Sequence, residues 1–129
     1  MKNQNEINCP FCKFETGTEF LFETDYGFAI YDKYPVNPGH TLIIPKRHCA
    51  DYFNLDKSEQ ESLWDLVNNC KDHLEKSLNP DGFNIGINVG ESAGQSIFHV
   101  HIHLIPRYKG DASHPKGGIR GVIPGKQKY

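Results

Sequence analysis

At 129 residues the chain has the length of one domain, and 14 Lys and Arg against 16 Asp and Glu leave a formal charge of −2. That balance excludes a general electrostatic affinity for nucleic acid or an anionic membrane. No apolar run approaches the roughly 20 residues that span a bilayer, and residues 1–10 lack both an apolar stretch and a small-residue cleavage site, so a soluble, cytoplasmic protein is expected.

The first chemical feature is Cys9-Pro-Phe-Cys12, two of four cysteines. In a reducing compartment such a pair holds metal or does redox work more often than it forms a structural disulfide. As a redox pair it lacks a surrounding βαβ pattern. As half of a four-ligand zinc site it needs two more donors. The plain alternative is two reduced thiols near the surface. A zinc-ribbon nucleic-acid binder would need a second cysteine pair and a basic stripe, and the sequence has neither.

Residues 19–31 read as two strands meeting at Asp25-Tyr26-Gly27. Residues 33–39 form a loop, because prolines 35 and 38 cannot serve a central ladder. His40 to Ile44 is a short β-branched strand ended by Pro45, with His40 a hydrogen-bonded structural residue at its start. Cys49 has no evident partner. Ser58-Glu-Gln-Glu61 has capping-box spacing and predicts a helix start. Leu63, Val67, Cys70, Leu74 and Leu78 then form one apolar stripe, with Cys70 packing as a small apolar residue, and Pro80-Asp81-Gly82 closes the helix. Residues 83–89 alternate as a half-buried strand, 90–96 form a loop, and a second alternating strand follows. The tail from 109 to 129, rich in glycine and proline, is expected to be irregular. The whole predicts a single α+β domain over residues 1–129: an antiparallel sheet of about five strands with one long helix on its apolar face.

The last strand carries His99, His101 and His103, three of the seven histidines. Strand alternation puts them on one face, with Val100, Ile102 and Leu104 turned toward the helix. A polar open face is one explanation. A single metal ion held by all three is strained, because the outer Cα atoms stand about 13 Å apart and metal–nitrogen bonds are about 2 Å. The third explanation is a row of imidazoles aimed at phosphate. A histidine is mostly neutral at pH 7 with a nucleophilic free nitrogen, and its neighbours can hold oxygens on which charge develops. Gly94, Gln95 and Ser96 add backbone, amide and hydroxyl donors where the loop enters the strand. Phosphoryl or nucleotidyl transfer through a histidine is the reaction class this favours.

The segment His99-Val-His-Ile-His-Leu-Ile105, preceded by Gly94-Gln95-Ser96, resembles the signature of the histidine-triad (HIT) superfamily of nucleotide hydrolases and transferases. Cys9 to Lys13, Ile30 to His40, Ile43 to His48 and Asn84 to Gly90 fit the same family in order. Residues 104–111 are more similar to microbial members described as dinucleoside polyphosphate hydrolases. The resemblance implies that His101 attacks the α-phosphorus of a nucleotide to form a nucleotidyl-histidine, which water or another acceptor cleaves. It implies that His103 bonds phosphate oxygens and that the His99 carbonyl orients the His101 ring. Gln95 and Ser96 match phosphate and leaving-group contacts, Asp32 the residue gripping the ribose, and Asn88 a sugar or phosphate contact. Phe11 and Phe14 fall where members wall the base, although each could equally be ordinary core. Lys33 departs from the family, where many members carry an apolar residue.

For the cysteine pair, within a metal-binding segment of about residues 7–14, the resemblance supplies the missing donors. Cys9 and Cys12 are joined by His48 and His99 around a structural Zn2+. It further implies a homodimer built by extending the sheet, and a divalent ion such as Mg2+ arriving with a polyphosphate substrate. The alternative from another class is a non-catalytic nucleotide-binding or zinc-stabilised interaction module.

Overall fold

The computed structural model describes residues 4–14 and 19–129. A short helix, α1 (Gln4–Ile7), leads into the cysteine segment. Five strands follow: β1 (Phe22–Glu23), β2 (Gly27–Tyr31), β3 (Thr41–Pro45), β4 (Gly82–Ile87) and β5 (Ile102–Arg107). All neighbours are antiparallel, in the order β1-β2-β3-β5-β4. The long helix α2 (Lys57–Leu78) lies between β3 and β4 in sequence. This is the α+β architecture expected from the alternation of residues along the chain. Among the described residues, no helix is long and apolar enough to cross a membrane.

Strand alternation divides the sheet into two faces. Ala29, Ile43, Ile102 and Leu104 pack with Leu63, Leu66, Val67, Cys70 and Leu74 of α2. Their neighbours Phe28, Leu42 and Ile44 face the other way and pack with Cys9 and Phe11. His103 lies opposite Leu42 in the β3–β5 register, so it belongs to this second face. Gly39 makes the turn that feeds β3. Its φ of +87° is one that side-chain-bearing residues rarely adopt, and a Cβ there would meet Leu78 Cδ1 at 2.7 Å.

Three expectations are corrected in detail. The helix begins at Lys57, and its cap is Asp56, not Ser58: the Glu59 carboxylate accepts the Asp56 N–H at 2.9 Å. Arg47 selects that register by donating to the same carboxylate at 2.8 and 3.1 Å. The buried stripe includes Leu66, whereas Leu78 in the last turn is 42% exposed.

The histidine strand is also shorter than its alternation suggests. Pairing with β3 stops at Ile43 and Ile102. Continued by two residues, that register would set Val100 opposite Pro45, which has no N–H to contribute. The Val100 N–H goes instead to the Cys49 carbonyl at 2.8 Å. His99 and His101 therefore stand on the entry to β5, and only His103 lies within the ladder. The tail carries one 3-10 turn (Gly118–Val122) and is closed by Gln127, which donates to the carbonyls of His114 and Lys116.

Candidate active site and metal cluster

Fixed backbone groups determine where the protons of two triad histidines sit. His99 is fully buried, and its Nε2 lies 2.7 Å from the Pro45 carbonyl. His101 is 8% exposed, and its Nδ1 lies 2.8 Å from the His99 carbonyl. A carbonyl oxygen only accepts, so each of these nitrogens bears the proton and the opposite nitrogen bears the lone pair. The free nitrogen is therefore Nδ1 in His99 and Nε2 in His101. Phe11 packs edge-on against both rings, with centroids 5.9 and 5.1 Å away. The His103 ring stands 5.0 Å from that of His101. Burial, and then His101 and His40, lower the His103 pKa to about 4 against a partial opposing pull from Asp32, so this ring is neutral at pH 7.

The free Nδ1 of His99 points into a second constellation. It lies 3.4 Å from the sulfur of Cys9, 3.4 Å from that of Cys12 and 3.3 Å from His48 Nδ1. Cys12 Sγ is 3.2 Å from His48 Nδ1. All four donor atoms lie within 4.8 Å of one another. A tetrahedral zinc site has sulfur–nitrogen edges of about 3.5 Å and a nitrogen–nitrogen edge of about 3.4 Å, given its bond lengths. The donors therefore have the chemistry and the spacing of a four-ligand zinc site. The outer nitrogen of His99, tied to a carbonyl, has the arrangement usual for a metal-binding histidine. His99 thus joins the two constellations, its ring in one and its carbonyl orienting the other.

The family model for the HIT domain matches residues 13–110. The chain belongs to the HIT family. An uncharacterized HIT-like protein of Methanocaldococcus jannaschii is 39% identical over 115 residues, covering 85% of this chain and 87% of that protein. The bis(5'-adenosyl)-triphosphatase of Dictyostelium discoideum is 40% identical over 94 residues, covering 73% of this chain and 63% of that one. Among solved structures, a Zn-bound histidine triad family protein from Mycobacterium smegmatis superposes with a TM-score of 0.73 at 32% identity, covering 82% of this chain and 79% of that one.

Within this HIT site the remaining expected residues are distributed unevenly. Asp32 reaches it: one carboxylate oxygen accepts the Tyr34 N–H at 2.9 Å, and the other lies 3.4 Å from His40 Nε2. Asn88 is half-buried just beyond β4, and Lys33 is exposed. Phe11 is buried against the histidine rings, whereas Phe14 joins Phe20 and Phe28 in an aromatic group, with centroids 6.0 and 5.3 Å away. Gly94 has φ +94° and ends the 3-10 turn at residues 91–93. Ser96 is exposed on the rim of a cavity of about 400 Å³ that it shares with Asn8, His48, Ile97 and Phe98.

Gln95, for which a phosphate contact is expected, is bonded within its own loop and to the neighbouring backbone. It is 5% exposed, its Oε1 accepts the Gly90 N–H at 2.9 Å, and its Nε2 donates to the carbonyls of Ala50 and Ile97. Both ends of the amide are engaged, and the side chain fastens the loop before the triad.

His40 is brought to the triad in a way that sequence reasoning did not foresee. Its Nε2 is 2.9 Å from His103 Nδ1, a contact spanning 63 positions. The available signal was a histidine set directly after a glycine turn, eight positions beyond Asp32. Cys49 donates its thiol to the Asp51 carbonyl, and Cys70 is buried deeply enough to push its pKa up to about 12, so neither thiol is poised for chemistry.

Proposed function

We propose that this protein cleaves dinucleoside polyphosphates at the α-phosphorus through a covalent intermediate on His101. The observation that carries the reading is the 2.8 Å bond from His101 Nδ1–H to the His99 carbonyl, which turns a lone pair on Nε2 outward. In the first step Nε2 attacks the α-phosphorus. A phosphorus–nitrogen bond forms, and the bond from phosphorus to the bridging oxygen breaks, so the remaining nucleotide departs with that electron pair. His101 then carries positive charge, and the His99 carbonyl accepting its Nδ1–H stabilises that charge. The neutral His103 ring beside it donates to a non-bridging phosphoryl oxygen. In the second step water attacks phosphorus and gives up a proton to solvent, the phosphorus–nitrogen bond breaks with its electron pair returning to Nε2, and a nucleoside monophosphate leaves. The relation to the Dictyostelium enzyme supports the substrate class.

Asp32 is assigned to the ribose, Asn88 to sugar or phosphate, and Gly94 and Ser96 to the departing phosphates, with Phe14 beside the base. Cys9, Cys12, His48 and His99 would hold zinc. Two thiolates would offset its charge and four protein ligands would leave no position for substrate, so its part is structural. A divalent ion such as Mg2+ accompanies the polyphosphate. We assign the active form to a homodimer joined at the open edge of β4.

The test is incubation with diadenosine triphosphate. AMP and ADP should appear, and mass spectrometry of quenched protein should place an adenylyl group on His101. His101→Ala should abolish both. AMP release that persists in that variant rules out the mechanism, and binding without release by the native protein would instead indicate a nucleotide-binding module.

A further inference from the structure

We propose that the tail carries a second nucleotide site, in which Lys116, Arg120 and Lys128 take a polyphosphate chain and the Tyr129 ring takes the base. The site is separate from the triad, and it stands whether or not the reaction proposed above does. A division of charge underlies it, hidden in the near-neutral total. All 16 acidic residues lie at or before position 111, together with ten of the 14 basic ones. Residues 112–129 hold Lys116, Arg120, Lys126 and Lys128 and no acidic residue. The tail is a cationic segment on an anionic body.

That segment is folded, which gives its charges fixed neighbours. Asp111 secures its start, accepting from Arg107 Nε and Nη2 at 2.8 and 2.7 Å. Gly117 and Gln127 close it. With φ +92°, Gly117 lies so near the Gln127 carbonyl that a Cβ there would collide with it. The Gln127 amide donates to the carbonyls of His114 and Lys116 at 2.9 and 3.2 Å. The closure brings Lys116 and Arg120 to one ring. Lys116 Nζ stands 5.6 Å and Arg120 Cζ 4.7 Å from the Tyr129 centroid, both within cation–π range. Beside them Ser113, Lys116, Lys128 and Tyr129 line a cavity of about 460 Å³.

Holding the ring in place would account for one of these cations but not for the group. Arg47 and Arg107 each pair with a carboxylate, at 2.8 and 2.7 Å. Among the described residues, no carboxylate pairs with Arg120, Lys116, Lys126 or Lys128. The two charges on the Tyr129 ring stand within about 10 Å of each other, one Debye length at 0.1 M salt, so they repel. A polyanion seated between them turns that repulsion into attraction, and the arginine fork suits paired phosphate oxygens. Tyr129 is 82% exposed, so the cations cover little of the ring and a base can stack on the rest. A cavity of this size takes one small ligand, and the negative body opposes a longer polyanion. A single nucleoside polyphosphate therefore fits the tail better than a nucleic-acid strand.

Titration of the nitrogen-15-labelled native protein, followed by magnetic resonance, tests this with inorganic tripolyphosphate and ADP as separate probes. Each should shift the Arg120 Nε–H and the Lys116 amide in a saturable way. Arg120→Gln should weaken both probes about tenfold or more at these signals, as loss of a charge-assisted bond requires. Tyr129→Ala should weaken ADP about fivefold or more and leave tripolyphosphate within about twofold, because only ADP has a base to stack. Lys57→Gln, a remote cation that is 89% exposed, should change neither. Tail signals that neither probe moves, or shifts confined to the triad histidines, overturn the proposal. So does a loss in Lys57→Gln equal to that in Arg120→Gln, which would reduce the effect to overall charge. Equal weakening of both probes by Tyr129→Ala refutes the base contact. A short single strand of DNA that shifts the tail where ADP does not would assign the patch to nucleic acid instead.

Discussion

His99, His101 and His103 share a residue type but have three different partners: the sulfur cluster, a backbone carbonyl and His40. Strand spacing had already argued against one ion shared by all three, and their separate partners give the physical reason. Cys12→Ser should reduce bound zinc well below one ion per chain and lower Tm by about 5 °C or more, since each kcal/mol moves Tm by several degrees in a domain of this size. Metal analysis and calorimetry check it, and full zinc content in the variant would remove Cys12 from the site. His103 has a folded pKa of about 4 against about 6.5 unfolded, and burial lowers His40 in the same direction despite Asp32. Between those values the unfolded chain binds the proton and the folded chain does not. Stability is therefore fully present above about pH 6.5 and is lost as pH falls toward about 4. Urea unfolding across that window should show the slope, and His103→Asn should flatten it. An unchanged slope in the variant would assign the effect elsewhere.

The start of α2 shows what local sequence can and cannot decide. Ser58 and Asp56 are both competent caps with an acidic residue three positions on, and spacing does not separate them. Arg47, 12 positions from Glu59, chooses by holding that carboxylate from outside the helix. Glu59→Ala should accordingly cost about 1–3 kcal/mol, the sum of a cap and a charge-assisted bond, whereas Ser58→Ala should change stability by less than about 0.5 kcal/mol. Chemical denaturation of the pair checks this, and the reverse ranking would restore Ser58 as the cap. The existence of α2, the five strands and the face on which Val100, Ile102 and Leu104 pack were all readable from periodicity. The early end of the β3–β5 ladder was legible in principle, since Pro45 stands in the sequence, but only once the register was known. His40 and Gln95 lay beyond reach for a related reason. Their roles depend on which groups surround them, and no residue type announces a second ring at His103 or a carbonyl at Ala50.

For the molecule as a whole the open question is what lies beside β4. The sheet ends there, and its last strand alternates Phe83, Ile85 and Ile87 onto the α2 face. Phe83 and Ile87 pack against the core, but Ile85 stays 41% exposed. A sheet edge with an exposed apolar residue on it is a pairing surface, and proteins that must stay monomeric place charge or proline there. The strand from Gly82 to Ile87 contains neither. A second copy joining edge to edge would satisfy the backbone and cover Ile85 symmetrically. Sedimentation should then give about twice the mass of a 14.7 kDa chain, and Ile85→Lys should return it toward one chain by placing charge at the junction. The triad runs into the neighbouring strand β5, with its last member His103 opposite Gly86 of β4. Loss of the dimer should therefore also loosen the strand that backs His103, and kcat should fall with the mass. A variant that is monomeric yet fully active would separate assembly from catalysis, and a native protein that sediments as one chain would leave Ile85 without its proposed cover.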